Sequence, residues 1–534
     1  MPTTNGASSF TGAIATPHVL ATDAATAAYR DGGNAIDAAI AAAAVLTVVY
    51  PHNVALGGDL IALVRTPDGT VRCVNASGWS GAGADAARMR AAHGDRLPIR
   101  GADSITVPGG VRGWEALHGF GSRLPWDRLL RPAELAAEAG VPVARSLDQH
   151  LRDPENADLF ALADFDRMFG PGGRPMGRGE HLRQPALAET LSTLAGAGPD
   201  EFYAGGLADR TVQYLRSHGS VLDTADFAEF RPEITDPISM DFHGVTVLTS
   251  PPNTHGFVML RALTAIRDLG LDAPLGADLS TVMRVFHQAN RIRSTRLADP
   301  RLAQVDVSAL VSADLAAAPP LGAPAAAAAV PRGDTVGVAA ADGDGYAVSL
   351  IQSVYHAFGS GLIDPQTGIL FHNRGTSFAL DPRSPNVLAP RKRPLHTLMP
   401  VLTTRDGAVA HVLATMGGQG QPQILTQVLL RMIDGASAAD AVAAPRAVVG
   451  QQVGDCTDDT VLAETGVDPA ALSALAASGL DVVQTPLYSE GLGHTNVVQV
   501  GGDGQLIAAS DPRADGSGVV AQFPFGHHPP GAAT

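Results

Sequence analysis

Two hydroxyl residues around one tight turn form the first constellation that could do chemistry. Asp342-Gly343-Asp344-Gly345 is a strong turn signal between the apolar runs Val336 to Ala341 and Tyr346 to Ile351, so the segment reads as a β-hairpin. With the turn centred on Asp344, Thr335 and Ser353 stand nine residues to either side. Antiparallel pairing then sets them opposite each other, within about one residue. A threonine opening a strand is ordinarily structural. A second hydroxyl facing it makes Thr335 a candidate nucleophile.

A second constellation is Met416-Gly417-Gly418-Gln419-Gly420-Gln421-Pro422, which leads into a helical pattern over Gln423 to Ile433 and stops at Asp434-Gly435. Proline in the first turn and glycine past the end fit a helix. The N–H groups of Gly417 and Gly418 are candidates for an oxyanion hole, although a plain tight turn would use the same residues. Prolines bracket His396-Thr397 within Arg393 to Pro400, and a further polar loop, His372 to Ser377, carries Arg374. An arginine in such a loop is more often a surface or ion-pair residue than a substrate anchor.

These groups need a scaffold. Thr22 to Tyr50, broken at Gly32-Gly33-Asn34, reads as two helices, the second largely buried. The runs Leu60 to Val64 and Val71 to Val74 flank Pro67-Asp68-Gly69 and read as a hairpin. Pro108 to Asp236 is mostly helical in pattern, with Phe169 to Gly179 as a surface loop. The Ala/Pro-rich segment Ser312 to Val330 is of low complexity and reads as a flexible link delivering the chain to Gly333-Asp334-Thr335.

Composition narrows the class. The 534 residues are 45% hydrophobic and 17% charged, enough for a large core. The balance of 37 basic against 53 acidic residues gives a net charge of −16, which argues against a nucleic-acid partner and for small-molecule chemistry. Cys73 and Cys456 are the only cysteines, too few for a disulfide framework or a Cys-based zinc site, with a single bridge left open. No Walker A, dinucleotide-binding or His-Glu-x-x-His pattern occurs, and the Asp342 to Gly345 turn lacks the later ligands of a calcium loop. No metal or cofactor is implied. His18, His52, His396 and His494 read as turn or packing residues. With no secretory signal at the start, and Ala38 to Tyr50 too short to span a bilayer, the expectation is a cytoplasmic protein without membrane contact.

Ala15-Thr16-Pro17-His18, Gly32 to Ala39, Gly57-Gly58, Val107-Pro108-Gly109, Gly333-Asp334-Thr335, Phe358 to Gly361, Thr367 to Leu370, Gly417-Gly418 and Ser510 to Arg513 occur in an order that resembles the γ-glutamyltransferase family of N-terminal-nucleophile hydrolases, over nearly the whole chain. The resemblance implies an α+β fold, a four-layer αββα sandwich made as one precursor. It implies that Thr335 attacks the carbonyl of Asp334, so that self-cleavage separates residues 1–334 from residues 335–534. The partners are then the two fragments themselves, an αβ heterodimer or a pair of such heterodimers. Cleavage creates an α-amine with a reference pKa of about 7.7 to 8.0, a suitable general base. Ser353 stands at the family's hydroxyl residue beside the nucleophile, and Gly417 and Gly418 at its oxyanion hole.

Departures from the family pattern bear on substrate. Ser77 stands where γ-glutamyl enzymes hold the α-carboxylate with an Arg, Ser377 where they hold the α-amine with an Asp, and His396-Thr397 replaces their Ser-Ser pair. Arg374 is a gained cation that suits a carboxylate or α-oxo acid. The signatures are most similar to those of the oxamate amidohydrolase and acylase branch, so the expectation is hydrolysis of a small carboxylate-bearing amide such as oxamate, with Arg374, Ser77, Tyr355, Ser377, His396 and Thr397 at the substrate. Three alternatives stand beside it. One is C–C cleavage releasing an oxalyl group, as in alkylproline antibiotic pathways, with Trp79 and Tyr355 against a flat substrate. Another is γ-glutamyl hydrolysis or transpeptidation on glutathione-like compounds. From another class comes an unprocessed binding or scaffold protein, since Val336-Gly337 replaces the hydroxyl and imidazole that follow the family's nucleophile.

Overall fold

In the computed structural model, residues 9–313, 334–452, 454 and 456–524 are described. Most of the Ser312 to Val330 segment, and Gly333, lie outside them. The first half supplies β1 (Ser9–Thr16), β2 (Asp59–Arg65), β3 (Val71–Ala76), the short pair β4 (Val141–Pro142) and β5 (His181–Leu182), then β6 (Glu233–Thr235), β7 (Ile238–Phe242) and β8 (Val245–Thr249). The second supplies β9 (Asp334–Asp342), β10 (Ala347–Tyr355), β11 (Val401–Arg405), β12 (Ala408–Thr415), β13 (Ala447–Val449), β14 (Thr460–Glu464), β15 (Asp481–Thr485), β16 (Thr495–Val500), β17 (Leu506–Ser510) and β18 (Ser517–Pro524).

Two antiparallel sheets carry the fold. One runs β18-β1-β9-β10-β2-β3-β6 and the other β17-β16-β12-β11-β8-β7. Ala13, Ile61, Leu63, Ala339, Ile351, Leu402, Val412 and Val498 fill the space between them. A second core joins the first sheet to the helices α1 (Val19–Arg30) and α2 (Ala35–Val49), and a third joins the other sheet to the helices Phe257–Leu269, Leu279–Arg296 and Gln421–Ile433. Three apolar layers between four structural ones make an αββα sandwich, because each sheet buries both faces. Every residue of β9 and β10 is accordingly buried, and their side chains read as near-continuous apolar runs.

The Gly32-Gly33-Asn34 break has a local cause. The Asn34 side chain accepts from the N–H groups of Ile36 and Asp37, while the Asp37 carboxylate accepts from Asn34 N, a capping box that starts α2. Ala35 N also donates to Asp342 Oδ2 at 2.8 Å, which ties the buried helix to the turn end of the β9–β10 hairpin. His18 caps α1 by accepting from Leu20 N. Both cysteines are free, with Cys73 buried between the sheets. Among the described residues, no helix is long and apolar enough to cross a membrane.

Candidate active site

The hairpin β9–β10 holds the register that its turn predicts. Val336 pairs with Gln352, and after a bulge Asp334 pairs with Tyr355, which leaves Thr335 facing Ser353. Thr335 Oγ1 donates to Ser353 Oγ at 3.1 Å, and Ser353 Oγ donates to the Asp334 carbonyl at 2.5 Å. Ser353 Oγ also accepts from Tyr355 N at 2.7 Å. A single hydroxyl therefore connects Thr335 to the carbonyl of the peptide bond that precedes it. Tyr355 has φ of 80°, a conformation costly for an aromatic residue and held by the surrounding bonds.

The loop after α2 braces this end of the hairpin. Asn53 Nδ2 donates to Thr335 O at 3.2 Å, and Val354 N donates to Asn53 O at 3.0 Å. Gly58 comes so close that a Cβ there would lie 2.5 Å from Ser353 O. From the opposite sheet, a Cβ at Gly337 would lie 2.6 Å from the Ala414 carbonyl carbon. Glycine at 337 is thus a packing requirement between the two sheets.

Gly417, with φ of 135°, and Gly418, with φ of 49°, follow β12 and begin the turn into Gln421–Ile433. Gly417 shares a cavity of about 320 Å³ with Asp334, His150, Gln452 and Glu490. His150 carries no mark in the sequence beyond its place on a short helix. Its Nε2 lies 3.6 Å from Asp334 Oδ1, and its Nδ1 faces Ser146 O at 2.9 Å. Burial works against charging this imidazole, yet the Asp334 carboxylate raises its pKa to about 9.

His52, His150 and Glu490 are the group whose ligand atoms lie within 4.8 Å of one another among the described residues. His52 Nε2 is engaged by Ser146 Oγ at 2.8 Å, Ser146 Oγ in turn donates to Glu490, and His150 faces Asp334. A hydrogen-bonded network accounts for the cluster.

The other candidate residues divide into two groups. Arg374 is 1% exposed; its Nη1 and Nη2 reach Thr397 Oγ1 at 3.3 Å, and Nη1 reaches Ser377 Oγ at 3.4 Å. Its Cζ sits 3.6 Å from the Tyr355 ring centroid, a cation–π stack. Burial lowers its pKa to about 10, with Tyr355 and Asp59 opposing, so it stays charged at neutral pH. Tyr355, Ser377 and Thr397 line a recess of about 880 Å³.

His396 and Ser77 lie away from that recess. His396 Nε2 turns to Asp59 Oδ2 at 3.1 Å, and burial together with Arg374 lowers its pKa to about 3. Ser77 Oγ accepts from Asn253 Nδ2 at 3.1 Å. Burial alone would raise the Asp59 pKa, but His372 and His396 hold it well below the usual carboxylate range. Trp79 packs edge-on against Phe230.

An αββα sandwich that places a buried threonine at the start of a central strand, with its hydroxyl linked to the preceding carbonyl, defines the class of N-terminal-nucleophile hydrolases. The Gamma-glutamyltranspeptidase family model matches residues 21–521, and the chain belongs to that family. It is similar to the oxamate amidohydrolase proenzyme of Klebsiella pneumoniae, at 36% identity over 95% of this chain and 98% of that one. A glutathione hydrolase-like proenzyme of Bacillus subtilis is 34% identical, over 95% and 98% respectively. Among solved structures, cephalosporin acylase from Bacillus halodurans superimposes with a TM-score of 0.86 at 32% identity, covering 97% of each chain. The protein is thus a hydrolase or acyltransferase of this family.

Proposed function

We propose that the chain cleaves itself between Asp334 and Thr335 into fragments 1–334 and 335–534, and that the resulting heterodimer hydrolyses the amide of a small carboxylate-bearing acyl group such as oxamate. The carrying observation is the hydroxyl path from Thr335 through Ser353 to the Asp334 carbonyl. Thr335 Oγ attacks that carbonyl carbon, the C–N bond breaks, and the acyl group moves to oxygen as an ester. Ser353 stabilises the oxyanion during the shift. Water then cleaves the ester, leaving a carboxylate on Asp334 and an α-amine on Thr335.

In the mature enzyme that amine serves as base, with an ordinary pKa of about 7.7 to 8.0. It takes the hydroxyl proton as Thr335 attacks the substrate amide, and returns it to the leaving nitrogen. The N–H groups of Gly417 and Gly418 are assigned to the oxyanion; one such donor is worth about 3 kcal/mol. Arg374 is assigned to the acyl carboxylate, since its fork is buried against hydroxyls and a ring face. The name of the Klebsiella relative agrees with that substrate class. Ser77 and Ser377 offer no charge to hold a γ-glutamyl group.

Denaturing mass spectrometry of the purified protein tests the first step, with a break between Asp334 and Thr335 expected and Thr335→Ala expected intact. Turnover of oxamate by the processed protein, set against propionamide and a γ-glutamyl amide, tests the second. A chain that stays whole and inert in every preparation would overturn the proposal and favour a binding role.

A further inference from the structure

Several deeply buried guanidinium groups elsewhere in this fold meet carboxylates, whereas the buried Arg65 donates to the carbonyls of Gly345 and Gly407. Arg446 reaches Asp511 at 2.6 Å, Arg513 reaches Asp511 at 2.9 Å as well as Glu464, and Arg393 reaches Glu233. Arg374 and Arg293 differ. Arg293, on the helix Leu279–Arg296, is 4% exposed. Its Nη1 donates to Asn290 Oδ1 at 3.2 Å and its Nη2 to Gln419 Oε1. Arg374 donates to two hydroxyls at 3.3 to 3.4 Å, and its Nε has no acceptor. Among the described residues, neither arginine has a carboxylate within ion-pair distance. Asp458, which lines the recess, acts on Arg293 and Asp59 acts on Arg374, each from beyond ion-pair distance. A buried guanidinium with no carboxylate in direct contact is unfavourable, so two in one place point to an anionic occupant.

One cation lines the recess directly, and the other lies against three residues that line it. Arg293 lines the 880 Å³ recess with Tyr355, Ser377, Thr397 and Gln419. Arg374 stacks on Tyr355 there and bonds Ser377 and Thr397, and both cations act on the buried His255. Gln419 directly follows the Gly417-Gly418 turn, and the recess reaches an exposed rim at Thr295, Asp381 and Arg383. A substrate anchored on Arg374 therefore extends its amine portion past Arg293 on the way out.

We propose that the recess takes doubly acidic amides, with the oxalyl carboxylate on Arg374 and a second carboxylate, carried by the amine portion, on Arg293. N-oxalyl amino acids are the smallest members of this class. Water adds to the oxalyl carbonyl through the acyl-enzyme, the C–N bond breaks, and the products are oxalate and the free amino acid, whose nitrogen gains the proton. This rests on the carboxylate-amide reading above.

The test compares kcat/KM for oxamate, N-oxalylglycine and its neutral counterpart N-ethyloxamate, in the processed wild type and in Arg293→Gln. The wild type should prefer N-oxalylglycine over N-ethyloxamate by about tenfold or more, and Arg293→Gln should bring that ratio near one while oxamate turnover changes less than about threefold. Completion of self-cleavage confirms that the variant folds, and Arg293→Lys should retain part of the preference. Equal rates on the two N-substituted amides in the wild type, or equal loss on all three in Arg293→Gln, would overturn the assignment. If no oxalyl amide is turned over, the substrate reading fails, and calorimetric titration with the same two compounds still reads the second cation. Tighter binding of N-oxalylglycine, lost in Arg293→Gln, supports it; equal binding of the two, or none, overturns it.

Discussion

Replacing Ser353 with alanine should separate stability from self-cleavage. Ser353 Oγ makes three bonds: it accepts from Thr335 Oγ1 at 3.1 Å and from Tyr355 N at 2.7 Å, and it donates to Asp334 O at 2.5 Å. Ser353 is 1% exposed, so water replaces these bonds poorly. The Tyr355 N–H and the Thr335 hydroxyl lose their partner, and each such loss costs about 1 to 3 kcal/mol. That cost lowers Tm. The third bond acts on the rate, because negative charge develops on the Asp334 oxygen as Thr335 attacks. Losing one preorganised donor slows such a step by about 10²- to 10³-fold, or about 3 to 4 kcal/mol. The assay is the intact mass of freshly purified precursor followed over time at constant pH, with Tm measured on the same samples. Ser353→Thr restores a hydroxyl at the same strand position and should cleave within about tenfold of wild type. If folded Ser353→Ala matures within about threefold of wild type, the hydroxyl path does not carry the reaction.

Three further outcomes are expected. Gly337→Ala drives a Cβ to 2.6 Å from the Ala414 carbonyl carbon and 2.7 Å from Thr415 N; backbone cannot yield as a side chain would, so the uncleaved Thr335→Ala protein carrying it should lose about 1 to 3 kcal/mol in chemical denaturation, and unchanged stability would refute the sheet-contact argument. Arg374→Gln should mature normally yet lose about 10²-fold in kcat/KM on carboxylate-bearing amides, and an equal loss on uncharged amides would remove Arg374 from the anchor role. The uncleaved Thr335→Ala protein should also lose stability with rising pH. Its His150, pushed up from 6.5 to about 9 against burial by Asp334, stabilises fully below the unfolded value, and that contribution, about 3 kcal/mol, disappears as pH rises through the folded one. Tm should therefore fall between about pH 7 and 9 and flatten in His150→Gln; parallel profiles would refute the pairing.

What could be read before the fold was known follows from how local each feature is. The β9–β10 pairing is set by a turn of four residues between strands of nine, so counting outward from Asp344 brings Thr335 to Ser353, and the bulge enters only beyond Gln352. The two N-terminal helices are equally local, because Asn34 and Asp37 cap within one turn. Arg293 and His150 had no comparable signal. Each lies on a helix whose site-facing side is chosen by packing against elements distant in sequence, and charged residues on amphipathic helices ordinarily face solvent.

His396 and Thr397 expose the limit of motif reasoning more sharply. Successive residues of an extended chain project to opposite sides, so Thr397 meets Arg374 while His396 turns to Asp59. A motif that aligns as a pair thus divides between the recess and the buried Asp59 cluster. The Val336-Gly337 departure divides in the same way. Read as lost catalytic groups, it suggested an impaired nucleophile, but the Ala414 backbone leaves no room for a Cβ at 337. The hydroxyl that reaches the Asp334 carbonyl instead comes from Ser353 across the hairpin, so the self-cleavage proposed above needs no side chain at 337. The proposed self-cleavage therefore rests on the register of one hairpin.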